Sequence, residues 1–413
     1  MLKSNIESQQ NLLQFGIPPS RADIRITLPL QSSALVHQKV LRLGAENLGP
    51  IDWRKKRKLK VHDQKQCGNC WAMSSTSVLN DRFLSFGNID LSLDPIILTQ
   101  CVPQTLNKGC GGGSPMYAGQ FFEQHGCIPN SSICPRWQDF YKEYSSGGTP
   151  NLPTCDTLEE RCNFSNISRY YAKAGSTQTL VASNGQSIDE EATINNIKMA
   201  LSKGPVVGAF IVSRDFMASA EYKFDHTGGI FINGAYNDIL DGVISPKLKQ
   251  ALGNPSGDQW ADPIVENGVP AGHAISICGW GIGKNIAGYG DIPYWIVKNS
   301  WGDKWMENGY IKVAINQTPN HYNKRLGLDI PVNTIFSNGQ SVSLGGYFGS
   351  CTVFNPDFVR YNGPVPNFNG GNDDSGGDEN TEHKRNWLKY LVVILIVLFI
   401  LAVAYYFIKN SEE

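Results

Sequence analysis

The sequence predicts an α+β architecture: a helical half, then a strand-rich half with a cleft between them, and a membrane-spanning helix near the C-terminal end. Three observations carry this reading. A run free of Gly and Pro, with helix-spaced apolar residues, follows Cys70. Four short β-branched and aromatic runs follow Gly204, and residues 390–408 are almost wholly apolar.

In chain order, residues 1–50 are cysteine-free and mixed in composition, and residues 51–336 carry the chemistry. After Cys70, the run from Trp71 to Leu84 places apolar side chains at 71, 78, 79 and 83 and reads as an amphipathic helix. Cys70 then stands at the helix N-terminus, where the positive end of the macrodipole stabilises a thiolate. Pro205-Val-Val-Gly-Ala-Phe-Ile-Val, Ala274-Ile-Ser-Ile-Cys-Gly-Trp, Tyr294-Trp-Ile-Val-Lys and Gly309-Tyr-Ile-Lys-Val-Ala-Ile are bounded by turn residues and read as strands. Residues 337–386, rich in Gly, Asn and Asp, hold too little apolar surface to fold and read as a polar tether. Residues 387–408 form the predicted span. Its core, Tyr390–Ile408, is about nineteen residues long, enough for a helix to cross the hydrocarbon layer. Trp387, Tyr390, Tyr405 and Tyr406 sit where interfacial aromatics belong, and residues 409–413 are a short tail.

A net charge of -1 gives no electrostatic reason to expect a nucleic-acid partner. Nine of the ten cysteines fall between Gln66 and Ser300. Crosslinks there would staple long loops and imply an oxidising compartment. Cys67-x-x-Cys70 is half of a zinc motif, but no second pair follows at ligand spacing, so no metal is expected. The N-terminus shows no apolar run of signal-peptide length. His383-Lys-Arg and Lys389 before the span outnumber Lys409 after it, which favours a cytosol-facing catalytic portion on a tail anchor. Disulfides favour a lumen, and a virus particle assembled in the cytosol would reconcile the two. The sequons at Asn130, Asn163, Asn166 and Asn316 do not decide the topology.

The chemistry is carried by a thiol, an imidazole and a carboxamide in chain order. Cys70 lies in Gln64-Lys-Gln-Cys67-Gly-Asn-Cys70-Trp71, His273 in Gly272-His273-Ala, and Asn299 in Asn299-Ser-Trp301-Gly302. Together they are the parts of a nucleophilic acyl-transfer site. Gln64 with its spacing to Cys70-Trp71, the Cys110-Gly-Gly112-Gly113 turn, Gly-His-Ala and Asn-Ser-Trp-Gly make residues 51 to about 335 resemble the papain-like cysteine peptidases.

That resemblance implies a two-lobed fold, with a helical left lobe and a β-barrel-like right lobe, and a thiol protease acting on peptide or protein substrates without a cofactor. It makes Cys70 the nucleophile and His273 the acid and base. Asn299 orients the imidazole, Trp301 screens that contact, and Gln64 with the Cys70 N–H forms the oxyanion hole. Gly112 and Gly113, with Trp301, are expected along the substrate groove. Cys67–Cys110 is the crosslink it implies most firmly. Cys101 pairs with Cys155 or Cys162, and the remaining one of these with Cys127 or Cys134. The six cysteines expected in disulfides are Cys67, Cys110, Cys101, Cys155, Cys127 and Cys162. Cys278 reads as a buried free thiol and Cys351 lies outside the match.

Within the family, the cathepsin X/Z and cathepsin B branches look nearest, through Cys101 to Cys110, the run ending Gln124-His125-Gly, the cysteine-rich stretch to Cys162, and Thr227-Gly-Gly-Ile-Phe. Residues 127–162 lack the paired histidines that give cathepsin B its exopeptidase activity. The His-containing insertion of cathepsin X is also missing, although His62 is nearby. Endopeptidase activity is therefore expected. The segment from Phe231 to His273 is about twenty-five residues longer than the resemblance leads one to expect, and reads either as a primed-side wall or as a solvated excursion. Residues 1–50 resemble a short propeptide by position, with maturation near Pro50. Two alternatives share the sequence: a non-catalytic binding scaffold, and a peptide ligase that intercepts the acyl-enzyme with an amine.

Overall fold

The structure, a computed structural model, describes residues 48–103, 105–129, 134, 136–139, 152–163, 167–183, 188–266, 269–315, 333–335, 341–343 and 350–357. The chain divides into Met1–Pro364 and Val365–Glu413, and the second unit lies wholly outside the described residues. So do the propeptide-like segment up to residue 47 and the predicted span at 387–408. Among the described residues no helix is long and apolar enough to cross a membrane.

The helical half is built on α1 (Cys70–Gly87), against which α2 (Ile96–Cys101) and α3 (Pro115–Gln124) pack. Helix α1 is not amphipathic as expected: every residue from Cys70 to Leu84 is buried. Several of its polar residues find partners in place. Ser74 Oγ donates back to the Cys70 carbonyl at 2.7 Å. Asp81 forms an ion pair with the equally buried Lys298, and burial still holds the Asp81 carboxyl above its ordinary value. The Arg82 guanidinium donates to the carbonyls of Gly204 at 3.0 Å and Pro205 at 2.7 Å and to Asn355 Oδ1 at 2.9 Å. With no carboxylate among those partners, burial pushes it down to about 9. A helix buried on every side from Cys70 to Leu84 belongs between two lobes, not on a surface.

The second half is one eight-stranded mixed sheet. Its strands are β1 (Ile51–Asp52), β2 (Gln178–Thr179), β3 (Val206–Ile211), β4 (Ile230–Phe231), β5 (Gly272–Ile286), β6 (Gly290–Lys298), β7 (Tyr310–Ala314) and β8 (Ser350–Val353). The order is β2-β8-β3-β5-β6-β7-β4, with β1 on β5; the pair β7–β4 is parallel and the others antiparallel. The path is open between β2 and β4 among the described residues, which form a mixed sheet in a papain-like α+β fold. All four predicted strand runs lie in it. Strand β5 is buried over its first ten residues because β3 and β6 flank it while α1 covers one face. That burial explains why Ala274-Ile-Ser-Ile-Cys-Gly-Trp reads as nearly continuous apolar sequence.

Strand β8 corrects the domain boundary. The sequence reading ended the catalytic domain at residue 336, yet Ser350–Thr352 pair with Val207–Ala209 of β3, and Phe354 is fully buried in the helical core with Phe122. A strand this short carries too little periodicity to stand out beyond a glycine-rich stretch. The long segment before His273 is also folded over its described residues. Residues Asn237–Val243 (α4) and Pro246–Ala251 (α5) are helical, and a 3₁₀ turn covers Gly257–Ala261. Leu240 and Trp260 are fully buried in the sheet lobe's core.

Trp260→Ala is therefore expected to destabilise the protein by about 3–5 kcal/mol in urea unfolding. A change below about 0.5 kcal/mol would mark residues 233–261 as a solvated surface excursion.

Candidate active site

Cys70 is the first residue of α1, so its backbone N–H has no intrahelical acceptor. The thiol forms no disulfide and is fully buried. Across the seam between the lobes, the Ala274 N–H donates to Cys70 Sγ at 3.3 Å. The thiol therefore lies against the residue next to His273, at the start of β5. An N–H on sulfur favours the thiolate, as does the helix N-terminus.

His273 is fully buried and pairs across the sheet with Phe210. Its Nε2 lies 2.8 Å from Asn299 Oδ1. The Ser300 N–H also donates to that oxygen at 2.8 Å, which fixes the carboxamide with oxygen toward the imidazole. Nε2 is then the donor, and Nδ1 is the nitrogen left for proton transfer. The Trp301 ring stacks on the imidazole at 4.9 Å between centroids, and the Phe210 ring meets it edge-on at 5.9 Å. Burial pushes His273 down to about 4, with the Asn299 hydrogen bond pulling it partly back.

Gln64 is buried beside this group. The segment before Cys70 runs along the Asn299 loop: the Gln64 N–H donates to the Ser300 carbonyl at 2.8 Å, and the Gly302 N–H to that of His62 at 3.0 Å. One Nε2 hydrogen goes to the Cys67 carbonyl at 3.0 Å, and Ser300 Oγ donates to Oε1. Held at both ends, the amide is fixed in orientation. The disulfide Cys67–Cys110 ties the same segment to the Gly109–Gly111 turn. In that turn, Gly112 adopts φ of 104°, and a Cβ on Gly113 would come within 2.6 Å of the buried Trp71 ring. Packing of Trp71 thus requires a glycine at 113 whatever lies in the groove.

The other crosslinks are Cys101–Cys155 and Cys134–Cys162. Cys127, expected in a disulfide, is instead a buried free thiol. Its backbone pairs with Tyr170, and Sγ points at the Asp94 carbonyl 3.5 Å away. That inward orientation directs the sulfur away from a partner, and burial pushes the thiol up, far from the thiolate range. Cys278 is likewise buried and free, raised by burial to about 12. Among the described residues no group of three or more His, Cys, Asp and Glu side chains stands together as a metal site requires.

Three contributors were not singled out in the sequence. Ser300 sits within the Asn-Ser-Trp-Gly motif but carries no local sign that it orients Gln64. Phe216 touches Trp301 at 5.9 Å, Phe210 at 4.9 Å and Trp305 at 6.1 Å, backing the wall behind the imidazole. Asp215 is fully buried and accepts from the backbone N–H groups of Phe216 and Gly234, both at 2.7 Å, and from Ser213 Oγ and Asn233 Nδ2. Burial raises it to about 6 against those bonds. It joins the short helix bearing Phe216 to the first residues of the long segment. Only a carboxylate after an apolar run marked it in the sequence.

A buried thiol, imidazole and carboxamide on the seam of a helical lobe and a sheet lobe define an acyl-transfer centre of the thiol type. The model of the papain family of cysteine proteases matches residues 49–232 and 262–326, and the chain belongs to that family. The interval between the two matched stretches is the folded segment with α4, α5 and Trp260. The chain is similar to the probable cysteine proteinase 361L of Invertebrate iridescent virus 6, at 28% identity over 74% of this chain and 58% of that protein. It is also similar to the cathepsin B-like cysteine proteinase 6 of Caenorhabditis elegans, at 25% identity over 63% of this chain and 60% of that one. It thus spans less than two thirds of the length of these relatives. Among solved structures, procathepsin B S9 from Trypanosoma congolense aligns with a TM-score of 0.45 at 18% identity, covering 85% of this chain and 88% of the other.

The depressed His273 pKa gives a stability signature once the thiol is removed. In Cys70→Ala the folded chain keeps the imidazole neutral down to about pH 4, whereas the unfolded chain takes up the proton near 6.5. Stability is then full above about pH 6.5 and falls as the pH drops toward 4, by an amount on the order of 3 kcal/mol. Urea unfolding of Cys70→Ala against Cys70→Ala/His273→Gln across that window isolates the contribution, and parallel curves would contradict it.

Proposed function

We propose that the protein is a thiol endopeptidase that hydrolyses peptide bonds in protein substrates through an acyl-thioester on Cys70. The observation that supports it most is the hydrogen-bonded line from thiol to carboxamide: the Ala274 N–H on Cys70 Sγ, then His273 Nε2 on Asn299 Oδ1. Cys70 attacks the scissile carbonyl carbon as a thiolate. The carbonyl electron pair moves onto oxygen, and that oxyanion accepts from the Cys70 N–H and the second N–H of Gln64. Protonated His273 Nδ1 gives its proton to the leaving amine as the C–N bond breaks. In the second half, Nδ1 takes a proton from water, the hydroxide attacks the thioester, and thiolate and carboxylic acid separate. The thiolate's charge supports the imidazolium in the first half, and the burial that favours neutral imidazole suits the base required in the second.

Gly112, Gly113 and Trp301 are assigned to the groove that takes the substrate backbone. The folded segment before His273 is assigned to the primed side, because residues 265–270 lead directly into Gly272-His273. Endopeptidase action is favoured by the absence of paired histidines in residues 127–162. Residues 1–50 are assigned to a propeptide, and Tyr390–Ile408 to a membrane anchor on apolar length and flanking aromatics. The basic flank before that segment favours a catalytic portion on the cytosolic side. Similarity to a protein of Invertebrate iridescent virus 6 favours a virus particle as the compartment.

Labelling with an epoxide or vinyl-sulfone thiol probe, in intact and in permeabilised membranes, tests reactivity and sidedness together. Cys70→Ala is expected to abolish labelling and peptide cleavage. Gln64→Ala should lower kcat by about 10²–10³ with KM changed much less. A long internally quenched peptide is expected to be cut internally, and release of C-terminal residues alone would contradict the endopeptidase assignment. Activity retained in Cys70→Ala would overturn the whole reading.

A further inference from the structure

Behind the line from Cys70 to Asn299, at the seam of the two lobes, lies a small, partly open cavity with room for a single water molecule. His62, Ser74, Ser77, Ser276, Lys298 and Asn299 contribute polar groups to its wall. Most of these already have partners. Lys298 is paired with Asp81, Ser74 Oγ donates to the Cys70 carbonyl, and Ser276 Oγ donates to that of Ser74 at 3.4 Å. His62 is held neutral, its pKa pushed down to about 3 by burial and by the Lys60 and Lys298 charges, although its surface is only partly buried. Two lining groups differ. Asn299 Nδ2 and Ser77 Oγ are buried with no protein hydrogen-bond partner, in residues only 2% and 4% exposed. Buried polar atoms in native proteins are nearly always paired, with ordered water where the protein offers nothing. The wall carries no uncompensated charge that would call for an ion.

We propose that this cavity is a water site in which one molecule accepts from Asn299 Nδ2 and donates to Ser77 Oγ, making Ser77 a positioning residue for the imidazole. The inference rests on the thiol-protease reading and deepens it. The amide oxygen of Asn299 is held by His273 and by the Ser300 N–H; the water would hold the nitrogen. A carboxamide fixed at both ends cannot turn its N–H₂ toward His273, where two donors would oppose each other. Ser77 stands two turns after Cys70 on α1, on the same face. The bridge therefore joins the helix that carries the nucleophile to the group that orients the base, and registers one lobe against the other at the point where a small displacement matters most.

Two measurements test this. A crystal structure of the full chain that resolves ordered water should show one molecule within hydrogen-bond distance of Asn299 Nδ2 and Ser77 Oγ. A dry cavity, or Asn299 Nδ2 satisfied by a protein carbonyl, overturns the proposal. This measurement needs no turnover, so it stands apart from any failure of the protease assignment. In kinetics, Ser77→Val fills the space with methyl groups and should lower kcat roughly ten-fold, with KM within about two-fold. It should also move the alkaline limb of the kcat/KM profile to lower pH, because a less well oriented Asn299 supports the imidazolium less. Ser77→Thr, which keeps the hydroxyl, should restore most of the rate. If Ser77→Val does not fold, Ser77→Ala takes its place, deleting the hydroxyl without added volume. A folded variant of either kind with wild-type kcat and an unmoved pH profile contradicts the proposal.

Discussion

The structure depends on the docking of one buried helix end against the first residues of one buried strand. Cys70 and Ala274 are 204 positions apart in sequence, and a single N–H on sulfur joins them. No local propensity sets that contact. It follows from two lobes closing on α1, whose two charged residues are matched across the seam: Asp81 by Lys298, Arg82 by the carbonyls that lead into β3 and by Asn355 after β8. These buried partners make the closure specific, because a helix shifted by one turn would leave charges unpaired in a low-dielectric interior. Lys298 is also the residue before Asn299, so the pair that seats the helix adjoins the carboxamide that orients the imidazole.

The same burial sets the electrostatics. With Trp301 stacked on it, Phe210 at its edge and Phe216 behind, His273 has little water to stabilise a positive charge, and its pKa falls. In the proposed mechanism a thiolate on Cys70 reverses that balance, since each ion supplies the counter-charge that solvent cannot. On that reading the two charges are stable only as a pair, and Cys70 is acidic for reasons a solitary cysteine lacks. The other buried free thiols illustrate the contrast: for Cys127 and Cys278 burial is the largest influence, and it drives both toward the neutral form.

Much of this was legible in the sequence where short motifs have a fixed chemical reason. The Cys70, His273 and Asn299 settings, the Gln64 spacing and the four strand runs named both the architecture and the atoms that converge. Features set by tertiary packing were less visible. The amphipathic reading of α1 failed because the helix is enclosed between the lobes, so no face from Cys70 to Leu84 is left to solvent. Cys127 was assigned to a crosslink because spacing cannot reveal that its sulfur points inward, toward the Asp94 carbonyl. Strand β8 follows a stretch with little periodic signal, and the roles of Ser300 and Asp215 exist only through residues distant in sequence. The long segment before His273 was visible as extra length, but its core tryptophan was not.

The most direct test of the account is the pH dependence of Cys70 alkylation by a neutral haloacetamide, compared with that of the His273→Ala variant. A thiolate sustained by a buried imidazolium predicts substantial reactivity well below the ordinary thiol pKa of about 8.5, lost when His273 is replaced. A single rise near that ordinary value, unchanged by removing His273, would show that the two groups do not act as an ion pair.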